Sequence, residues 1–267
     1  MSHRMGSVDM KIGISNASLY PIETEKSLRF LGENGIRVTE IFFNSPSELE
    51  PPFIAELDRI RKYYGIEIVS VHPCGSMGEP YFLFSSYQRR YRDAFEYYKK
   101  YYEALAVLGG KTVVLHGDSL AGHISMEEYC ERLMEMNRAA AEFGVCICHE
   151  NVNRYRAATP ENVREIRKKT GDSIKFTLDI KQTVRDGCGA DAMYDAMKGN
   201  IINVHISDHD EGHDCMLPGR GGFDFASLFC KLDTDGYDGA CLIEVYNNAY
   251  SDLGELIASY KNVNKIH

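Results

Sequence analysis

The sequence predicts an α/β chain folded as a single (β/α)8 barrel. Three observations carry that expectation. Eight short apolar or β-branched runs alternate with eight longer stretches of helical spacing. The short runs are mostly continuous rather than alternating, as parallel strands covered on both faces are. The length, 267 residues, suits one large domain of this kind. A doubly wound open sheet is the alternative, but the turn after the first run reads SNASLYP and has no G-x-G-x-x-G phosphate loop.

The predicted strands are KIGIS (11–15), VTEIFF (38–43), IEIVSVH (66–72), KTVVLH (111–116), VCICHE (145–150), IKFTLD (174–179), INVHIS (202–207) and ACLIEV (240–245). Helical spacing fills 24–33, 47–64, 86–108, 125–143, 160–170, 190–198, 224–233 and 251–263. The punctuation agrees. Gly109-Gly110, Gly144 and Gly171 stand where helices should end. Thr159-Pro160-Glu161 is an N-cap followed by proline at the first helical position, and Ser125 to Glu128 is a capping box. Within 86–108, Phe95, Tyr98, Tyr102, Leu105 and Leu108 recur at three and four and form a packing stripe. The tyrosines of the same helix offer a surface for a homo-oligomer. No linker divides the chain. Residues 1–9, MSHRMGSVD, read as an expression leader with Met10 as the natural start, and 10–267 read as the barrel domain.

Composition excludes several classes. The net charge of −9 disfavours nucleic acid as a bulk partner. No apolar run approaches the roughly 20 residues that span a bilayer, and the N-terminus has no signal-peptide pattern. Of eight cysteines, Cys146, Cys148 and Cys241 sit in apolar runs, so free thiols in a reducing cytoplasm are expected rather than disulfides.

In a barrel of this kind the active site forms at the C-terminal ends of the strands. The third run ends at His72, the fourth at His116, the fifth at His149-Glu150 and the sixth at Asp179. The seventh carries His205 and then Asp208, and the eighth ends at Glu244. Six successive strands thus deliver a carboxylate or an imidazole to one face. Alternation turns Glu150 inward and His149 outward, which makes His149 structural. Converging carboxylates repel and lose hydration unless a cation holds them. Glu150, Asp179, His205 and Glu244 combine oxygen with one imidazole nitrogen, a donor set that suits Mn²⁺, Zn²⁺, Co²⁺ or Mg²⁺. A second metal held by His72, His116 and a bridging Glu150 is the alternative arrangement. The loop 207–224, SDHDEGHDCMLPGRGGFD, is long, polar and glycine-rich, and its tip is expected to close over substrate.

In this order the residues resemble the xylose-isomerase-like TIM-barrel superfamily, which groups sugar and sugar-phosphate isomerases and epimerases with inosose dehydratases and endonuclease IV. ENVNRY is similar to the E-x-x-N-R-[FY] pattern of ketose 3-epimerases, FTLDIKQ to L-D-x-x-[HQ], VHISDHD to H-x-x-D, LPGRGGFDF to P-G-x-G-x-[IFV]-D, and IEVY to the strand-eight glutamate motif. The resemblance covers almost the whole chain from Met10. It implies Glu150, Asp179, His205 and Glu244 as metal ligands, with Glu150 and Glu244 also moving a proton on opposite faces of a carbon. It implies a metal-dependent isomerase or epimerase of a sugar, sugar phosphate or related polyol, acting through an enediolate at the metal. The substrate wall it implies comprises Asn153, Arg154, Arg156, Gln182, Asp208 and Arg220.

Two positions depart from the pattern. Arg156 stands where ketose 3-epimerases have a glutamate, and Gln182 where many members have a histidine. Arg154, Arg156 and Arg220 could therefore face a phosphate or carboxylate, and Lys181 could also point at substrate. An inosose-type dehydratase is the nearest rival, because the same enediolate can expel a hydroxyl. A non-catalytic ligand-binding barrel is the reading from a different class. An endonuclease IV-like phosphodiesterase is disfavoured by the acidic charge and by Gln182.

Overall fold

The structure is a computed structural model and describes residues 10–73 and 75–266. The predicted leader, 1–9, lies outside the described residues. Eight strands form one closed parallel barrel in sequence order. They are β1 (Lys11–Ser15), β2 (Val38–Phe42), β3 (Glu67–His72), β4 (Thr112–Leu115), β5 (Cys146–Glu150), β6 (Lys175–Asp179), β7 (Ile201–Ile206) and β8 (Ala240–Ile243). The barrel closes where Lys11–Ile14 pairs in parallel with Ala240–Ile243. Every predicted strand is present within two residues at each end.

The helices follow the predicted stretches. They are α1 (Thr24–Glu33), α2 (Pro51–Tyr64), α3 (Glu79–Phe82), α4 (Gln88–Leu108), α5 (Met126–Ala141), α6 (Pro160–Thr170), α7 (Ile180–Asp186), α8 (Ala190–Met197), α9 (Phe225–Thr234) and α10 (Leu253–Ile266). Their starts use the expected chemistry. Ser125 Oγ accepts from the Glu128 N–H at 3.1 Å, and Thr159 Oγ1 accepts from the Asn162 N–H at 3.2 Å. The α4 stripe of Phe95, Tyr98, Tyr102, Leu105 and Leu108 is buried, as a period of three and four requires. The short helices α3 and α7 were not predicted. The second begins directly at the end of β6, with Asp179 serving as both last strand residue and N-cap.

The strands are almost wholly buried, and their outward side chains pack against the helices in one continuous core. Among the described residues, the seven cysteines are all free thiols, and no helix is long and apolar enough to cross a membrane. Two departures from regularity shape the barrel floor. The β2–β3 register shifts between Thr39 and Glu40, which seats a carboxylate inside the barrel. Gly117, just after β4, has φ +85°, and a Cβ there would collide with the Tyr129 hydroxyl and the His149 ring. Only glycine admits that turn.

Candidate active site

The strand-end residues converge. Ligand atoms of Glu150, Asp179, His205 and Glu244 lie within 4.8 Å of one another, and so do those of His72, His116 and Glu150. His205 Nδ1 is 3.2 Å from Glu150 Oε1, 3.3 Å from Glu244 Oε2 and 3.7 Å from Asp179 Oδ2. Glu150 Oε2 faces the other two imidazoles, with His116 Nε2 at 3.1 Å and His72 Nε2 at 3.6 Å. The His116 contact lies within ion-pair distance, but Glu150 Oε2 has no aligned hydrogen-bond donor despite being buried. An anionic oxygen without such a donor fits a position facing a cation. His149 points outward, as alternation predicts. Its Nδ1–H donates to the Glu150 carbonyl at 3.0 Å, and its Nε2 accepts from the Tyr129 hydroxyl.

Of these groups, His72, His116, Glu150 and Glu244 line a cavity of about 810 Å³. The lining also includes the aromatic side chains of Phe42, Tyr155 and Tyr246. That volume lies in the range of pockets that enclose small organic ligands, roughly 300–1,000 Å³.

Burial sets the charges of the cluster. For Glu150, burial raises the carboxyl, but the His116, His205 and His72 imidazoles around it override that and hold the group well below the usual range. Glu244 behaves likewise: burial is overcome by the charges of His205 and Lys181. Asp179 goes the other way, pushed up to about 6 by burial against the pull of Lys181. Like charges this close do not all ionise freely, and of the three carboxylates Asp179 is the first to take up a proton as pH falls. His205 is depressed by burial but raised more by Glu244 and Glu40, so it sits well above its ordinary value.

The predicted wall residues divide. Asn153, Arg154 and Gln182 line the cavity. Gln182 Oε1 accepts from the Asn153 N–H at 3.1 Å, tying the two walls together. Arg154 is held in the left-handed region, with φ 68°. Arg156, Asp208 and Arg220 are not brought there. Arg156 turns away into a buried pair with Asp118 at 3.0 Å and also donates to the Ile124 carbonyl. Asp208 accepts four backbone N–H groups, from His209, Gly219, Gly221 and Phe223, and so organises the 208–223 loop. Arg220 pairs at 3.0 Å with Glu255 of α10.

Three residues join the site that strand-end reasoning missed or left open. Glu40 is fully buried and lies 3.2 Å from His205 Nε2. Its signal was a lone carboxylate in the middle of an apolar run. Lys181 is buried against Asp179 and Glu244. Glu79, on α3, accepts from the Tyr98 hydroxyl at 2.8 Å and the Gly117 N–H at 2.6 Å, bracing the turn that carries His116.

Known proteins share this architecture. An uncharacterized protein of Methanocaldococcus jannaschii is 26% identical, with 90% of this chain and 85% of the relative covered. The 3-dehydro-D-guloside 4-epimerase of Escherichia coli is 25% identical, with 88% and 92% covered. The crystal structure of a D-tagatose 3-epimerase-like protein superposes with a TM-score of 0.80 at 24% identity, covering 96% of this chain and 97% of that one. The model of the xylose isomerase-like TIM barrel matches residues 28–262, and the chain belongs to that family.

Proposed function

We propose that this chain is a divalent-cation-dependent epimerase or isomerase of a sugar, sugar phosphate or related polyol. One observation carries the reading: ligand atoms of Glu150, Asp179, His205 and Glu244 lie within 4.8 Å of one another, and Glu150 and Glu244 line the cavity. Three carboxylates and one imidazole nitrogen fit Mn²⁺, Zn²⁺, Co²⁺ or Mg²⁺, and the buried Glu150 Oε2 without an aligned donor supports a cation there. The 4-epimerase relative supports a carbohydrate substrate.

Glu150, Asp179, His205 and Glu244 would hold a divalent ion, which would supply Lewis acidity to a substrate carbonyl and its neighbouring hydroxyl and so acidify the C–H between them. Glu150 and Glu244 are both held in the ionised form, so either can take that proton as a base. For inversion the second glutamate must first take up a proton from solvent and then deliver it to the other face of the carbon. A proton returned to the neighbouring carbon of the enediolate converts aldose to ketose. Asn153, Arg154 and Gln182 bind and orient the substrate from the cavity wall. The pairing of His72 and His116 with Glu150 favours a second cation as the alternative stoichiometry. The free thiols support a reducing compartment such as the cytoplasm.

Elemental mass spectrometry of the purified protein and of Glu150→Ala tests the cation. About one equivalent, lost in the variant, is expected; two equivalents would make His72 and His116 ligands. No cation after supplementation would overturn the reading. Sugar and sugar-phosphate panels incubated with enzyme in D₂O should incorporate deuterium at one carbon. Loss of water to an absorbing enone would instead assign the dehydratase reaction.

A further inference from the structure

The oxygens that converge on the candidate cation position are shared with a lysine. Asp179 divides its carboxylate. Oδ1 accepts from the Gln182 N–H at 3.0 Å and caps α7. Oδ2 is left facing the cluster, and it accepts from Lys181 Nζ. Glu244 Oε2 lies 3.3 Å from His205 Nδ1 and 2.6 Å from Lys181 Nζ. The two carboxylate oxygens nearest the imidazole of these side chains are therefore the same two that hold the ammonium. Lys181 is 4% exposed, and an ammonium so buried requires paired anions.

Resting on the cation site proposed above, we infer that Lys181 is a tethered competitor for the divalent ion. Ammonium and ion draw on Asp179 Oδ2 and Glu244 Oε2, so loading displaces Nζ from between them. The displaced side chain has somewhere to go, because Lys181 lines the cavity. Charge explains why a lysine is tolerated beside such a site. Three ionised carboxylates and a divalent ion leave one negative charge, which one ammonium neutralises. The same ammonium repels the incoming ion and occupies its ligands, so both effects weaken binding. Removing the ammonium should strengthen it.

The experiment titrates Mn²⁺ alone into EDTA-treated, dialysed protein in competition with a fluorescent chelator, for wild type, Lys181→Met and Lys181→Gln. Both variants are expected to bind Mn²⁺ at least tenfold more tightly than wild type. A second readout is thermal unfolding. Without Mn²⁺ the variants should melt below wild type, because three buried carboxylates lose their counter-charge. With Mn²⁺ their gain in Tm should exceed the wild-type gain. If Lys181→Met is too unstable after chelation, Lys181→Gln keeps donors for the two carboxylates while removing the charge. Equal or weaker Mn²⁺ affinity in the variants, with wild type binding normally, would overturn the competitor role. Absence of binding in all three proteins would instead overturn the cation site itself. Binding in the variants alone would show the lysine excluding the ion.

Discussion

Glu40 lies 3.2 Å from Nε2 of His205, inside the barrel and fully buried, while the opposite ring nitrogen faces Glu150, Asp179 and Glu244. Ser15 and Ser70 each donate to Glu40, at 3.1 and 2.7 Å, fixing its carboxylate. A cation at the position faced by Nδ1 would take the neutral ring through Nδ1 and leave Nε2–H to donate to Glu40. A carboxylate behind a ligating histidine orients the ring and raises its basicity. Glu40→Gln is therefore expected to weaken Mn²⁺ binding by roughly 10- to 100-fold with little change in circular dichroism. Unchanged affinity would mean the ring is held by packing alone.

Glu244 separates an enzyme from a binding barrel. Glu244→Gln keeps an oxygen donor at the same place and removes the proton acceptor. In an enzyme, turnover at saturating Mn²⁺ should fall by on the order of 10²- to 10⁴-fold; a binding barrel would instead keep most of its ligand affinity, measured by calorimetry. Turnover that survives the change would remove Glu244 from the proton path.

Two buried groups give the fold opposing pH dependences. Burial pushes His149 down from 6.5 to about 4. Its folded value is depressed, so its contribution is present above pH 6.5 and is lost as pH falls toward about 4, by at most about 3 kcal/mol. Burial raises Glu79 from 4.5 to about 8. Its folded value is raised, so stability is full below pH 4.5 and is lost as pH rises through about 8, by at most about 5 kcal/mol. Urea unfolding across this range should show His149→Phe less stable throughout but with a flatter acid limb. Glu79→Gln should flatten the alkaline limb. Variants with wild-type slopes would assign those slopes to the site carboxylates instead.

The strand ends could be read from sequence because a parallel barrel directs the last inward residue of each strand to one face. Glu150, Asp179 and His205 follow from alternation and strand length alone. Glu40 does not, because it lies mid-strand and its inward position depends on the register shift after Thr39. The family resemblance places Arg156 at the substrate wall, where ketose 3-epimerases have a glutamate. Its partner Asp118 is 38 residues away, and no local pattern announces a pair that distant. The α7 helix had a local signal that went unused, the Asp179-x-x-Gln182 capping spacing. Its start at Asp179 is also what brings Lys181 onto the site.

The 208–223 loop was expected to act as a lid, and Asp208 shows how it is held. The carboxylate is 1% exposed and accepts four backbone N–H groups at 2.9 Å from along the loop. The carboxylate thus reinforces the single antiparallel bridge between Asp208 and Met216. At the far side, Arg185 of α7 clasps Asp214 at 2.6 Å and the Tyr246 hydroxyl at 2.8 Å, joining the loop to the cavity rim. Motion of the tip is therefore expected around a fixed base. Asp208→Ala should release the base, at a local cost on the order of 3 kcal/mol or more. Limited proteolysis should then cut within 208–223, while Mn²⁺ affinity stays near wild type. In the wild-type protein, cleavage should be confined to the exposed tip around Glu211–His213 and be suppressed by substrate. Tip cleavage that substrate leaves unchanged would show that the loop does not close over the cavity.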